Sequence, residues 1–513
     1  MNKKIYSCLL ATLSLVWLLA SCSGTPKYAN MIPDDAAIVV RIDAKQIAEK
    51  SGTADNQELK DLMNRLLRDA NMSRALQDKV EAVVADPAEA GIDLREPLFV
   101  FGSQSFEGHV GLIGAIHSRD KLTELLDALA KDAGADRCIE RDGYTYFELD
   151  GDPIVFNDDW FMLTNKSYDQ DESDVIAEVS KRFEADEENS IRSNEAFKEL
   201  CKSEGDVQLL LLGKGLAEID GMRRELQDIE KQLPSGVRID DYALVADLNL
   251  GDGEATLSTR AIALTDEARN FMDENAKGLS AVEGDMLKYV PASTLLAAAT
   301  HLDGKAVLDK AKEQGLLRNA NPEAAKMVTD VFEALDGDIV FSFDSFNEMG
   351  MPAYSAYAEV KNATFLRNLM RDFLDSGYAT ENATDQYQVT LNSYTEAYFG
   401  VKNGTFYFST DSNAPALRSA SPAVDADDYK GKLFFMRLYP QNVLKLAFLS
   451  PMLDGTAEGK QVKKFVNMVE SVELSCENPY EASLHLTLKE KDRNILQIVC
   501  DEGTRSIKEY LNS

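Results

Sequence analysis

Histidine is scarce in this 513-residue chain, with four copies at His109, His117, His301 and His485. None belongs to an HExxH, HxH or His–Asp pattern, and His109 and His117 are eight residues apart. These spacings exclude the usual zinc and di-iron signatures, so no metal is expected. The six cysteines form neither CxxC nor any zinc spacing. Glycines make no GxGxxG or GxxxxGK[ST] run, which excludes the familiar phosphate cradles, and no cofactor is expected. Positive charge is in deficit: 54 Lys and Arg stand against 87 Asp and Glu, a net charge of −33. Such a surface repels phosphate backbones, so nucleic acid is not an expected partner. The acidic stretches Asp150-Gly151-Asp152 and Asp169-Gln170-Asp171-Glu172 lack calcium-loop spacing and read as solvated loops. Ser118-Arg119-Asp120-Lys121 matches SxxK, but no SDN or KTG accompanies it, and Ser118 sits where a helix N-cap is needed. No catalytic constellation emerges.

What is present begins at the N-terminus. Lys3 and Lys4 precede an apolar run from Leu9 to Ala20, too short to span a bilayer and proportioned like a secretory signal. It ends in Leu19-Ala20-Ser21-Cys22, which resembles the lipobox of bacterial lipoproteins. Small residues at Ala20 and Ser21 suit a narrow peptidase site, and the Cys22 thiol can carry a thioether-linked diacylglycerol. The reading is a signal peptide over 1–21, lipidation at Cys22 with acyl chains such as palmitate, and a tether over 22–30. Beyond this segment no run of 18 apolar residues occurs, so no transmembrane helix is expected. Cys138, Cys201, Cys476 and Cys500 remain, with buried free thiols as the expectation for a chain this large.

The chain also matches itself. Ile32-Pro33 corresponds to Val290-Pro291, and Leu122, Leu125, Leu126 and Leu129 to Leu366, Leu369, Met370 and Phe373. Trp160-Phe161-Met162-Leu163-Thr164 corresponds to Thr405-Phe406-Tyr407-Phe408-Ser409, Gly205–Leu212 to Gly431–Leu438, and Glu254–Leu257 to Glu481–Leu484. Five blocks in the same order predict a tandem duplication, with repeats over 31–280 and 285–513. Strands pair through hairpins such as Asn403-Gly404, and amphipathic helices follow pairs of strands. The predicted class is α+β, with antiparallel or mixed sheets covered by helices on one face, two subdomains per repeat and four sheets in all.

The opening Tyr28-Ala29-Asn30-Met31-Ile32-Pro33-Asp34-Asp35-Ala36-Ala37-Ile38-Val39-Val40-Arg41-Ile42-Asp43, after a lipobox and short tether, resembles a family of Bacteroides-type outer-membrane lipoproteins of unknown function. The resemblance spans the whole chain in length and layout and carries no catalytic or binding residues. It implies an outer-membrane address: Ser23, rather than Asp, follows the cysteine, and the absence of an acidic run there favours the periplasmic face. One cluster of aromatic residues on successive strands, with Tyr398, Phe406 and Phe408 at its centre, reads either as sheet core or as a stacking platform for a peptide or glycan. The leading expectation is therefore a non-enzymatic binding or scaffolding lipoprotein. Its partners would be the membrane, through the lipid, and an envelope protein, peptide or glycan. The alternatives are a periplasmic hydrolase with a carboxylate acid–base pair in a cleft between the repeats, or an apolar-ligand carrier.

Overall fold

A computed structural model describes residues 25–512, apart from 54–55, 71, 104–108, 167–169, 232–236, 277–278, 314, 316–320, 347–351, 393–394, 413, 415–416, 418–428 and 447–452. The predicted signal peptide and Cys22 lie outside the described residues. The described chain forms 21 strands and 15 α-helices in two compact units. One unit runs to Phe271 and takes in the chain from Lys491 onward; the other is Met272–Glu490.

In the first unit the strands are β1 (Ala36–Ile42), β2 (Ile92–Asp93), β3 (Leu98–Ser103), β4 (His109–Ile116), β5 (Ile139–Arg141) and β6 (Tyr144–Leu149). They continue as β7 (Asp152–Phe156), β8 (Trp160–Leu163), β9 (Val207–Leu212), β10 (Tyr242–Gly251) and β11 (Glu254–Ala263). Hydrogen bonding orders them β5-β6-β7-β8-β4-β3-β1-β9-β10-β11, all antiparallel, with the short β2 beside β4. The second unit holds β12 (Leu296–Asp303), β13 (Leu335–Phe346), β14 (Pro352–Val360), β15 (Ala379–Ala383) and β16 (Gln386–Asn392). It is completed by β17 (Thr395–Lys402), β18 (Thr405–Ser409), β19 (Phe434–Leu438), β20 (Val469–Asn478) and β21 (Glu481–Leu488). Their order is β15-β16-β17-β18-β14-β13-β12-β19-β20-β21, again antiparallel throughout. Strand for strand, the two orders are the same.

The expected fold class is overturned. Instead of two small sheets per half with helices on one face, each unit is one long open antiparallel run, and its helices are not clearly grouped on one face. The reason lies in the side-chain alternation. Along β8, Trp160 and Met162 point into one apolar cluster and Phe161 into the opposite one; along β3, Phe99 and Phe101 do the former and Leu98 the latter. A strand buried on both faces loses the in–out contrast that marks a solvated sheet. The first cluster is covered by the 3-10 turn Lys27–Met31 and the helices Glu172–Phe183 and Glu195–Lys202. The second is covered by Arg119–Ala133, behind which pack Gln57–Asp69 and Arg74–Ala85. The same two-sided arrangement recurs in the second unit, with Tyr357 and Tyr407 on one face and Val360, Leu366 and Met370 among the cluster on the other.

Local chemistry starts these helices where the sequence suggests. Ser118 accepts from the Lys121 backbone N–H and Ser73 from that of Leu76, so both are N-caps. The SxxK match therefore describes a helix start. The last helix, Ile495–Asn512, packs in the first unit, against Ala44–Ser51 and Gln57–Asp69, although the sequence groups it with the second repeat. Asn494 Nδ2 anchors its start by donating to Leu250 O at 2.8 Å. No described helix is long and apolar enough to cross a membrane.

Candidate functional site

The matched strands of the two units make one local comparison possible. In β4 and β8, Ala115 lies opposite Trp160; in β14 and β18, Glu359 lies opposite Thr405. The first unit fills this position. The Trp160 indole is 1% exposed and packs on Tyr144 at 5.7 Å and Phe183 at 4.6 Å between ring centroids. The second unit has the much smaller threonine there, and a cleft of about 460 Å³ opens beside it.

Four segments build most of the cleft. The 3-10 turn Asp285–Tyr289 supplies Asp285, Lys288 and Tyr289, and the ends of β13 and β14 supply Asp336, Glu359 and Lys361. The hairpin between β17 and β18 supplies Lys402, Asn403, Gly404 and Thr405. That hairpin is the predicted Asn-Gly turn: Asn403 and Gly404 both take positive φ, 53° and 78°, as a type I′ turn requires. Val360 N–H donates to Gly404 O at 2.9 Å and ties the turn to β14.

The charges are arranged unevenly. Lys361 Nζ pairs with Asp336 at 3.0 Å, and Lys288 Nζ sits 5.2 Å above the Tyr289 ring. That ring packs in turn on Tyr357 at 5.0 Å. Behind the cleft Asp338 is fully buried, and its carboxylate accepts from the backbone N–H of Glu283 at 3.0 Å and of Gly284 at 2.6 Å. His301 Nδ1 hydrogen-bonds the same carboxylate at 3.1 Å. Glu359 is half-buried, and among the described residues no hydrogen bond or ion pair reaches its carboxylate. Burial pushes this carboxyl above its ordinary range, and the neighbouring Asp338, Glu283 and Asp285 push it further, with His301 opposing them. Gly337 makes the placement possible. It adopts φ +139°, and a Cβ on it would fall 2.0 Å from Glu359 Oε2.

The aromatic group proposed from sequence does not come together as one surface. Tyr398 lies opposite Ser409, so it shares the face of Tyr407, whereas Phe406 and Phe408 point to the other face. Tyr398 packs against the core that contains Tyr407 and directs its hydroxyl to Glu396. Phe406 packs on Phe365 at 6.0 Å, and Phe408 lies between Tyr354 and Phe399 at 5.7 and 6.1 Å. Cys138, Cys201, Cys476 and Cys500 are free, half-buried thiols. Burial and the neighbouring Asp127 carboxylate push Cys138 up to about 12, which leaves it protonated and unreactive at neutral pH. His301, Asp338 and Glu359 were not singled out by sequence reasoning. The repeat alignment nonetheless carried the signal for the cleft, since it sets Trp160 against Thr405.

A family model described as "Domain of unknown function (DUF4836)" matches residues 28–496. No curated protein and no solved structure matches the chain.

Proposed function

The chain belongs to the DUF4836 family of unknown function, and from that premise we propose that it is a lipid-anchored protein of the bacterial envelope whose second unit binds a small polar ligand without transforming it. The anchor is carried by one observation, the basic, apolar and small-residue series that ends in Leu19-Ala20-Ser21-Cys22. Acyl chains, each contributing about 0.8 kcal/mol per buried CH₂, hold the chain to the outer membrane, facing the periplasm. Binding is supported by the cleft, which offers carboxylates, lysines and a tyrosine face but no nucleophile paired with a base.

The hydrolase reading keeps one specific support. The Glu359 carboxyl lies above its ordinary range in a cleft that also presents Asp285, and two such carboxyls can act as acid and base. Turnover of an envelope glycan or peptide by the wild type, abolished in Glu359→Gln, would establish that reading over simple binding. The anchor is tested by fractionation. Wild-type protein is expected in the membrane pellet and Cys22→Ala in the soluble periplasmic fraction. Equal membrane retention of both would refute anchoring through Cys22.

A further inference from the structure

The two units differ most usefully where they should be most alike. Trp160 closes the first unit's core, and Thr405 at the matching register leaves the second unit open beside Glu359. A cleft of about 460 Å³ is within the range of small-ligand sites, which bind through a few placed polar groups. The groups here specify a charge. Glu359 has no hydrogen-bond or ion-pair partner among the described residues, and the charges acting on it include three further carboxylates, Asp338, Glu283 and Asp285. Asp338 is already engaged by two backbone N–H groups and His301. The charges acting on Glu359 itself are thus mainly negative, with His301 opposing them. Among the described residues no group of three His, Cys, Asp or Glu side chains could hold a metal ion, so an organic cation fits better than a bare metal. The Tyr289 ring on the same wall is already engaged by Lys288 and Tyr357 and shapes the cleft. Lys361, paired with Asp336, and Lys402 also line the cleft and make its far side polar.

Resting on the reading of this cleft as the ligand site, we propose that it seats the primary ammonium group of a small polar molecule, an amino sugar or the amino end of a peptide, against the Glu359 carboxylate. The ammonium donates to Glu359, and the oxygen-bearing remainder lies along the polar cleft. Gly337 serves as a positioning residue because its missing Cβ is the space into which Glu359 turns.

Calorimetric titration of the detergent-solubilised full chain with glucosamine and with alanyl-alanine, each beside its N-acetylated counterpart, tests the assignment. At least one free amine is expected to bind at neutral pH while its acetylated form does not. Glucosamine binding alone identifies a sugar source, and alanyl-alanine binding alone a peptide source. Glu359→Gln keeps the side-chain shape and is expected to weaken binding about tenfold or more, since a charge-assisted hydrogen bond is lost. Thr405→Trp restores the first unit's filling residue and is expected to remove binding. Failure of both amines to bind, or equal affinity for free and acetylated forms, would overturn the ammonium assignment. If an acetylated probe bound and Thr405→Trp abolished that binding, the ammonium class would fall while the cleft remained a ligand site.

Discussion

At the scale of single residues, burial and charge decide which carboxyls strain the fold and which support it. Glu473 is buried, and burial alone would raise its carboxyl. Lys432, Arg437 and Tyr429 outweigh that effect at 2.9–3.0 Å and hold it below its ordinary range. Asp344 is the opposite case. Burial pushes its carboxyl up, and the nearby hydroxyls of Ser342, Thr294 and Ser355, the last at 3.2 Å, only partly counter it. A folded carboxyl with a raised pKa holds its proton longer than the unfolded chain does. Stability therefore falls as pH rises from the ordinary Asp value of 3.8 through the raised one, and the loss persists above it. Asp344→Asn retains an oxygen to accept from Ser355 and removes this loss. The variant is expected to unfold at a higher urea midpoint than wild type at pH 7 and to show no such gain below pH 3.8. A variant no more stable at pH 7 would show that Asp344 carries no ionisation strain. The residues of the candidate site were only partly legible in the sequence. Thr405 could be read because its repeat partner is Trp160, but His301, Asp338 and Glu359 are distant in the chain and meet only through the register of β12, β13 and β14.

At the scale of elements, strands were far more legible than the way they stack. The sequence places the hairpin at Asn403-Gly404 where the structure has it, because turn chemistry is a local signal. It does not reveal a second buried face, since both parities of β8 are apolar and a short run reads alike in either setting. One helix was also misjudged. The stripe Leu216, Ile219, Met222, Leu226, Ile229 and Leu233 reads as one continuous helix, yet the chain turns extended at Ile219, with ψ 115°, between Gly213–Glu218 and Asp220–Glu230, and Leu233 lies outside the described residues. The difference between β8 and β18 gives a quantitative expectation. Trp160→Ala empties a fully buried site and is expected to destabilise the chain by about 3–5 kcal/mol. Thr405 is also buried but much smaller and beside the cleft, and Thr405→Ala is expected to cost only about 1 kcal/mol. Urea denaturation of both variants checks the contrast, and equal losses would mean that the two positions are equivalently packed.

At the scale of the whole molecule, two units of identical strand order do different work: one is closed by an aromatic core and the other keeps a polar opening. A duplicated fold permits this division, because one copy can preserve packing while the other exchanges core volume for charge. The strong acidity of the chain, −33 overall, creates a negative field that favours the approach of cations over anions. The proposed envelope role depends first on the proposed lipid at Cys22. Intact-mass spectrometry of the protein purified from membranes tests this most directly. The predicted result is a chain that begins at Cys22 and carries the mass of a diacylglycerol with its further acyl chain. A chain beginning at Met1, or one whose Cys22 bears no lipid, would contradict it.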